Sequence, residues 1–218
     1  MVFDFDGTLV DTEWPIFERA RAAVASLGGE LTDEMWATNA VGVSLGEPYW
    51  ETIAELLGLR VDQAGFDAAY AAVTHLPSAR DVAEIIVGAA DLVDTLHGSG
   101  VPIAIASGSD REWLEHHLDR FDLADRFTTL VGRDHPEVER GKPAPDLYRA
   151  AVAELGVDPA SAVAVEDTAR GIESARAAGL GAVVAVPSRL TAYHDLSKAD
   201  VVVDSLTDLT LDRLARLF

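Results

Sequence analysis

Two aspartates separated by a single residue carry the first chemistry in this chain, in the run Asp4-Phe5-Asp6-Gly7-Thr8-Leu9 directly after the apolar pair Val2-Phe3. Side chains alternate along an extended strand, so Asp4 and Asp6 point to one side while Phe5 turns toward the core. A carboxylate nucleophile and a neighbouring acid would then face one substrate. Gly7 permits a tight turn away from the strand, and Thr8 can tie that turn to its backbone. Taken alone, two aspartates and a glycine also make an ordinary strand-ending turn. Three later segments add groups suited to an anionic ligand. Ser107, followed by Gly108 and Ser109, offers a hydroxyl and backbone N–H groups near the start of a helix, a setting that suits a phosphate oxygen. Ser109 and Asp110 themselves read as caps of that helix. Lys142 stands in Arg140-Gly141-Lys142-Pro143-Ala144-Pro145-Asp146, where prolines stiffen the loop and present the ammonium as a positioned point charge. Glu166 and Asp167 are adjacent carboxylates that repel one another unless a cation is shared, and hard oxygen ligands favour magnesium. The same pair would equally serve the N-terminus of a helix starting near Ala169.

These residues must be positioned by something, and the chain's rhythm says what. Short apolar runs recur, each followed by a polar or Gly-rich turn and a helical pattern, which predicts an α/β fold built on a Rossmann-like parallel sheet with helices on both faces. The predicted strands are Val2–Asp4, Ile103–Ser107, Thr129–Val131, Ala162–Glu166, Ala182–Val186 and a sixth at Val201–Val203, with helices at Arg111–Phe121, Pro145–Leu155 and Ala169–Ala178. Gly156 and Gly179 stand where C-terminal caps belong. In an open α/β sheet, ligands bind at the C-terminal edge of the strands, where Asp4, Ser107 and Glu166 fall. From about Glu13 to Arg80 the pattern changes to amphipathic helices, the best being Trp14–Leu27, Pro48–Leu57 and Ala64–Val73, broken at Gly28-Gly29, 42–46 and 75–78. This stretch reads as a helical insert after the first strand, and Val82–Leu96 as one helix returning the chain to the main body.

Composition narrows the class. With 218 residues, 49% of them hydrophobic, the chain buries one sizeable core and a smaller satellite. Its 17 basic against 37 acidic residues give a net charge of -20, the wrong sign for nucleic acid or an anionic membrane surface. There is no cysteine, which excludes disulfides, thiolate catalysis and zinc–thiolate sites and fits a cytoplasmic location. The expected state is a monomer without a signal peptide or membrane span.

With the four motifs in chain order, the sequence resembles the haloacid dehalogenase-like hydrolase superfamily, in particular its phosphatase and β-phosphoglucomutase-like branch. The residues that carry the likeness are 4–12, Ile105-Ala106-Ser107-Gly108, 141–146 and Val165-Glu166-Asp167-Thr168, with 171–179 similar to the helix after the fourth motif. The resemblance implies a core domain of residues 1–13 and 81–218 and an α-helical cap domain of residues 14–80. It implies that Asp4 attacks phosphorus to form an aspartyl-phosphate while Asp6 serves as general acid and base. Magnesium would be held by the Asp4 carboxylate, the Asp6 backbone carbonyl and Asp167, with Glu166 in the shell directly or through water. Ser107, Gly108 and Lys142 would bind the transferring phosphoryl group. The implied activity is a magnesium-dependent phosphatase for a small phosphorylated metabolite of the sugar or polyol phosphate type, the alternatives being a sugar-phosphate mutase and a non-catalytic binder of phosphometabolites. Asp6 argues against dehalogenation, since dehalogenases of the superfamily lack it. Leu45 stands where a mutase would carry an arginine, no lysine occurs between Glu13 and Arg80 for imine chemistry, and a pure binder has no need of Asp4. Specificity candidates are Trp14, Trp36, Asn39, Ser44, Tyr49 and Trp50, and the loop 133–137 could bring Arg133 or His135 to the site.

Overall fold

Bulky and small apolar residues alternate along the strands, and that alternation decides what each face of the sheet can receive. The computed structural model describes residues 1–43 and 49–217. In chain order it runs β1 (Val2–Phe3), β2 (Val10–Asp11), then α1 (Glu13–Ser26), α2 (Asp33–Asn39), α3 (Trp50–Leu57), α4 (Gln63–Ala72) and α5 (Ala79–Val82). There follow β3 (Glu84–Ile85), α6 (Ala89–Gly98), β4 (Ala104–Ala106), α7 (Arg111–Arg120), β5 (Thr129–Val131) and α8 (Asp146–Leu155). The chain ends with β6 (Val163–Glu166), α9 (Ala169–Ala178), β7 (Ala182–Ala185), β8 (Val201–Val202) and α10 (Leu211–Leu214).

Six strands form a parallel sheet in the order β5-β4-β1-β6-β7-β8. Phe3, Ile105, Val165 and Val184 pack on one face against α6, α7 and α10. On the other, Val2, Ala104, Ala164 and Val183 leave room for α8 and α9 to lie close. The α/β class, the parallel sheet and helices on both faces are therefore as the sequence predicts. Strand β1 lies between β4 and β6, with Phe3 level with both Ile105 and Val165. The chain leaves β1 to build one half of the sheet and returns beside it to build the other, so the ends of β1, β4 and β6 adjoin at the switch point.

Helices α1 to α4 enclose a third apolar cluster around Phe17, Trp36, Trp50, Ile53 and Phe66, joined by Leu190 from the segment after β7. The Trp50 and Phe66 rings stack at 4.2 Å, and Trp50 donates its indole N–H to the Val61 carbonyl at 2.7 Å. Helix α2, capped by Thr32, has no counterpart in the sequence expectations. The start of the helix expected at Pro48 lies outside the described residues.

The expectation of one helix over Val82–Leu96 is corrected. Helix α5 ends at Val82, and Glu84-Ile85 pairs antiparallel with β2, Ile85 opposite Val10, before α6 begins. The β-branched run Ile85-Ile86-Val87 favours this extended pairing, and Ile86 adds an N–H bond to the Leu9 carbonyl at 2.9 Å. Gly88, at φ +87°, then turns the chain so closely over Thr207 that a Cβ would meet it at 2.8 Å. The β2–β3 pair thus clamps together the two ends of the helical excursion. Among the described residues, no helix is long and apolar enough to cross a membrane.

Candidate active site

Each central strand delivers one chemical group to the same edge. Asp4 continues β1, its N–H donating to the Val165 carbonyl at 2.9 Å. Ser107 continues β4, its N–H donating to the Val131 carbonyl at 3.0 Å, and Glu166 ends β6 with Asp167 directly after it. Lys142 comes from the loop before α8 through a cis Lys142–Pro143 peptide. Asp4, Ser107, Lys142, Glu166 and Asp167 are all buried.

The Lys142 ammonium bridges two carboxylates, lying 2.5 Å from Asp4 Oδ1 and 2.5 Å from Glu166 Oε1. Burial would lower its pKa, but the charges of Asp4 and Glu166 outweigh that and hold it above the usual lysine range. Glu166 is wholly engaged by protein donors: Lys142 and the Tyr148 hydroxyl on Oε1, and the Asp167 N–H, Thr168 N–H and Thr168 hydroxyl on Oε2. Asp167 is its opposite. Among the described residues its Oδ1 meets only the Thr8 hydroxyl, at 3.4 Å, and its buried Oδ2 has no hydrogen-bond partner. Burial, then the charges of Asp4 and Glu166, push Asp167 well above the carboxylate range. Asp4 is raised to about 7 by burial and Glu166 against the pull of Lys142. Gly7, at φ +82°, passes so close to Asp167 that a Cβ would lie 2.3 Å from Oδ2. Oxygens of Asp4, Glu166 and Asp167 lie within 4.8 Å of one another. A buried carboxylate oxygen without a donor among the described residues, beside two further carboxylates, suits a hard divalent cation.

Asp6 is half-buried and held by four donors: Thr12 at 2.7 Å and the Trp113 indole at 2.8 Å on Oδ1, Ser109 at 2.7 Å and Ser107 at 3.2 Å on Oδ2. Ser107 also accepts the Ser109 N–H at 3.0 Å. Asp110 alone caps α7, accepting the Trp113 N–H, so Ser109 belongs to Asp6 rather than to the helix end. Thr12, Trp113 and Glu13 are the neighbours that sequence reasoning missed.

A cavity of about 460 Å³ opens over Asp4, Asp6, Gly108 and Lys142 and runs into the helices of the excursion, where Trp36, Tyr49, Phe66 and Tyr70 wall it. Glu13, the first residue of α1, lines it too, and burial together with Asp6, Asp4 and Asp11 pushes its carboxyl up to about 8. Of the specificity candidates, Trp36 and Tyr49 line the cavity. Trp50 is a core residue, Trp14 packs beneath the Arg189 guanidinium at 3.5 Å, and Asn39 donates to the Met35 carbonyl. Ser44 and Leu45 lie outside the described residues. Arg133 pairs with Asp110 and His135 with Glu154, away from the cavity lining.

A parallel sheet that brings two aspartates, a serine, a lysine and an acidic pair to one edge beside such a cavity is the arrangement of a hydrolase acting on phosphoric monoesters. The family model for haloacid dehalogenase-like hydrolases matches residues 1–179, and the chain belongs to that family. It falls with the phosphatases and β-phosphoglucomutase-like proteins. Hexitol phosphatase B of Escherichia coli (strain K12) is 30% identical, with 96% of this chain and 93% of that protein covered. Fructose-1-phosphate phosphatase YqaB of the same strain is 34% identical, with 84% and 94% covered. A HAD family hydrolase of Deinococcus radiodurans R1, solved with bound phosphate and sodium, superposes with a TM-score of 0.76 at 26% identity, over 99% of this chain and 94% of the other.

Proposed function

We propose that this phosphatase hydrolyses a small phosphorylated metabolite of the sugar or polyol phosphate type through a phosphorylated Asp4. The observation that carries the reading is Asp4, bridged to Lys142 in the cavity lining, with a buried Asp167 oxygen within 4.8 Å of it that no described residue hydrogen-bonds. In the first step an Asp4 oxygen bonds to phosphorus as the ester P–O bond breaks, and Asp6 gives its proton to the leaving alcohol. In the second, water attacks the same phosphorus, Asp6 takes its proton, and the bond to Asp4 breaks to release inorganic phosphate. Lys142 balances the charge of Asp4 and, with the Ser107 hydroxyl and the Gly108 N–H, receives the transferring oxygens. Thr12, Ser109 and Trp113 orient Asp6 between steps. A magnesium ion held by Asp4, Asp167 and the Asp6 carbonyl, with Glu166 standing behind on Lys142, would neutralise phosphoryl charge. Residues 14–80 act as a cap that closes over the substrate and excludes water from the core, residues 1–13 and 81–218. The relatives named for hexitol and fructose 1-phosphate support the substrate class. A cysteine-free chain fits cytoplasmic work.

The test is phosphate release by the purified chain with magnesium, across phosphomonoesters that include sorbitol 6-phosphate and fructose 1-phosphate. Turnover should vanish with chelator and in Asp4→Asn. Absence of release from every ester in the presence of magnesium overturns the reading.

A further inference from the structure

A phosphate ester seated against Asp4 and Lys142 leaves its alcohol portion in the part of the cavity bounded by the helices. Aromatic walls there, Trp36, Tyr49 and Phe66, suit the apolar C–H faces of a carbon chain or ring. The polar groups are carboxyl and phenol: Glu13, the more exposed Asp67 on α4, and Tyr70. Glu13 interacts electrostatically with Asp4 and Asp6 on one hand and with Tyr70 on the other, which places it at the junction of the reacting end and the leaving-group end. No hydrogen bond from a described residue occupies its carboxyl group.

What this chamber lacks is a cation for the alcohol portion. Lys142 is the sole basic residue among the described lining residues, and it is committed to Asp4 and Glu166. The nearby Arg19 guanidinium lies over the Tyr70 ring at 5.0 Å and does not line the cavity, and residues 44–48 contain neither lysine nor arginine. A second phosphate or a carboxylate on the substrate would be stripped of water beside Glu13 and Asp67 with no counter-charge. A hydroxyl group in the same place would find a carboxyl partner.

We propose that Glu13 selects the leaving group: its carboxyl group binds a hydroxyl of an uncharged, polyhydroxylated alcohol, and the chamber rejects phosphate esters whose alcohol portion carries a second anion. This rests on the phosphatase reading and narrows it to singly charged-end substrates. The experiment compares kcat/KM, with magnesium held in excess, for two matched pairs, fructose 6-phosphate against fructose 1,6-bisphosphate and glycerol 3-phosphate against 3-phosphoglycerate. p-Nitrophenyl phosphate, which has no hydroxyl for Glu13, reports the reacting centre separately. The wild type should prefer the uncharged member of each pair by at least about 10-fold. Glu13→Gln should lower kcat/KM for fructose 6-phosphate about 3- to 10-fold, the equivalent of one hydrogen bond to a neutral group, while p-nitrophenyl phosphate stays within about twofold. Glu13→Lys should raise the ratio of anionic to uncharged substrate by about 10-fold or more, and thermal melts verify that both variants fold. Equal use of both members of each pair overturns the inference while leaving the phosphatase reading intact. So does a Glu13→Gln variant that loses fructose 6-phosphate and p-nitrophenyl phosphate alike, since Glu13 would then act in the chemistry itself. No release from any of the five esters removes the phosphatase reading, and this inference with it.

Discussion

Removing divalent cations should destabilise the protein more at pH 8 than at pH 6, and the buried carboxyls say by how much. Without a cation, Asp4 is held at about 7 instead of its ordinary 3.8, by burial and by Glu166. Between those values the folded chain binds more protons than the unfolded one, so stability is full below 3.8 and falls as pH rises through 7. From pH 6 to pH 8, Asp4 alone accounts for a loss on the order of 1 kcal/mol. Glu13, raised to about 8, and Asp167, raised well above its range, act in the same direction. At roughly 2–4 °C per kcal/mol for a chain of this length, the Asp4 contribution lowers the melting temperature by about 2–4 °C. A bound cation reverses the preference, because it favours the deprotonated carboxylates. Differential scanning fluorimetry in chelator and in excess magnesium should therefore show a magnesium-induced rise that is larger at pH 8. In Asp167→Asn the rise should disappear, and the melting temperature in chelator should increase, since one buried acid gives way to a neutral amide of the same shape. A magnesium effect of equal size at both pH values, or one that survives in Asp167→Asn, refutes the reasoning.

Three further outcomes are expected. Trp113→Phe removes the indole donor 2.8 Å from Asp6 and should lower kcat about 10-fold with KM and melting temperature nearly unchanged, as measured by steady-state phosphate release. Gly7→Ala forces a Cβ to 2.3 Å from Asp167 Oδ2 at φ +82°, so it should cost about 1–3 kcal/mol in denaturant unfolding and remove the magnesium-induced rise in melting temperature. His117 is fully buried and lowered to about 4, chiefly by burial. Its contribution is present above pH 6.5 and is lost as pH falls toward 4, by roughly 3 kcal/mol, because the unfolded chain takes the proton first. Stability curves in excess magnesium, which keeps the site carboxylates deprotonated, should show His117→Phe losing less stability than the wild type between pH 7 and 4.5.

The sheet was readable because its strands are apolar runs that stop abruptly at polar residues, and a buried parallel strand imposes that pattern along its whole length. Gly156 and Gly179 marked helix ends for the same local reason, and both adopt left-handed C-caps. The β2–β3 pair was not readable. Two-residue strands carry no periodicity, and Ile85-Ile86-Val87 lies between segments of helical composition, so the pairing of Val10 with Ile85 is decided by contact across the chain. Trp113 is hidden differently. At the third position of α7 it looks like a packing residue, and it meets Asp6 only because α7 lies against the face of the sheet that β1 shares. Glu13 is masked by a sufficient local explanation, since an acid in the first turn of a helix already favours the helix dipole.

The adjacent acids Glu166 and Asp167 make the same point about physical cause. In the sequence they are interchangeable, two carboxylates at a strand end, and repulsion between them argues for a shared cation. In the fold, consecutive residues leave the strand in different directions, and the protein treats them unequally. Five donors converge on Glu166, including the Tyr148 hydroxyl from the helix beneath, so both of its oxygens are hydrogen-bonded without a metal. Among the described residues, Asp167 receives one long bond from Thr8 and keeps a buried oxygen without a donor. Leaving a buried carboxylate oxygen unsatisfied is costly unless something outside the chain completes it. The demand for a cation therefore comes from Asp167 and Asp4, whereas Glu166 fixes Lys142 against Asp4, the proposed nucleophile.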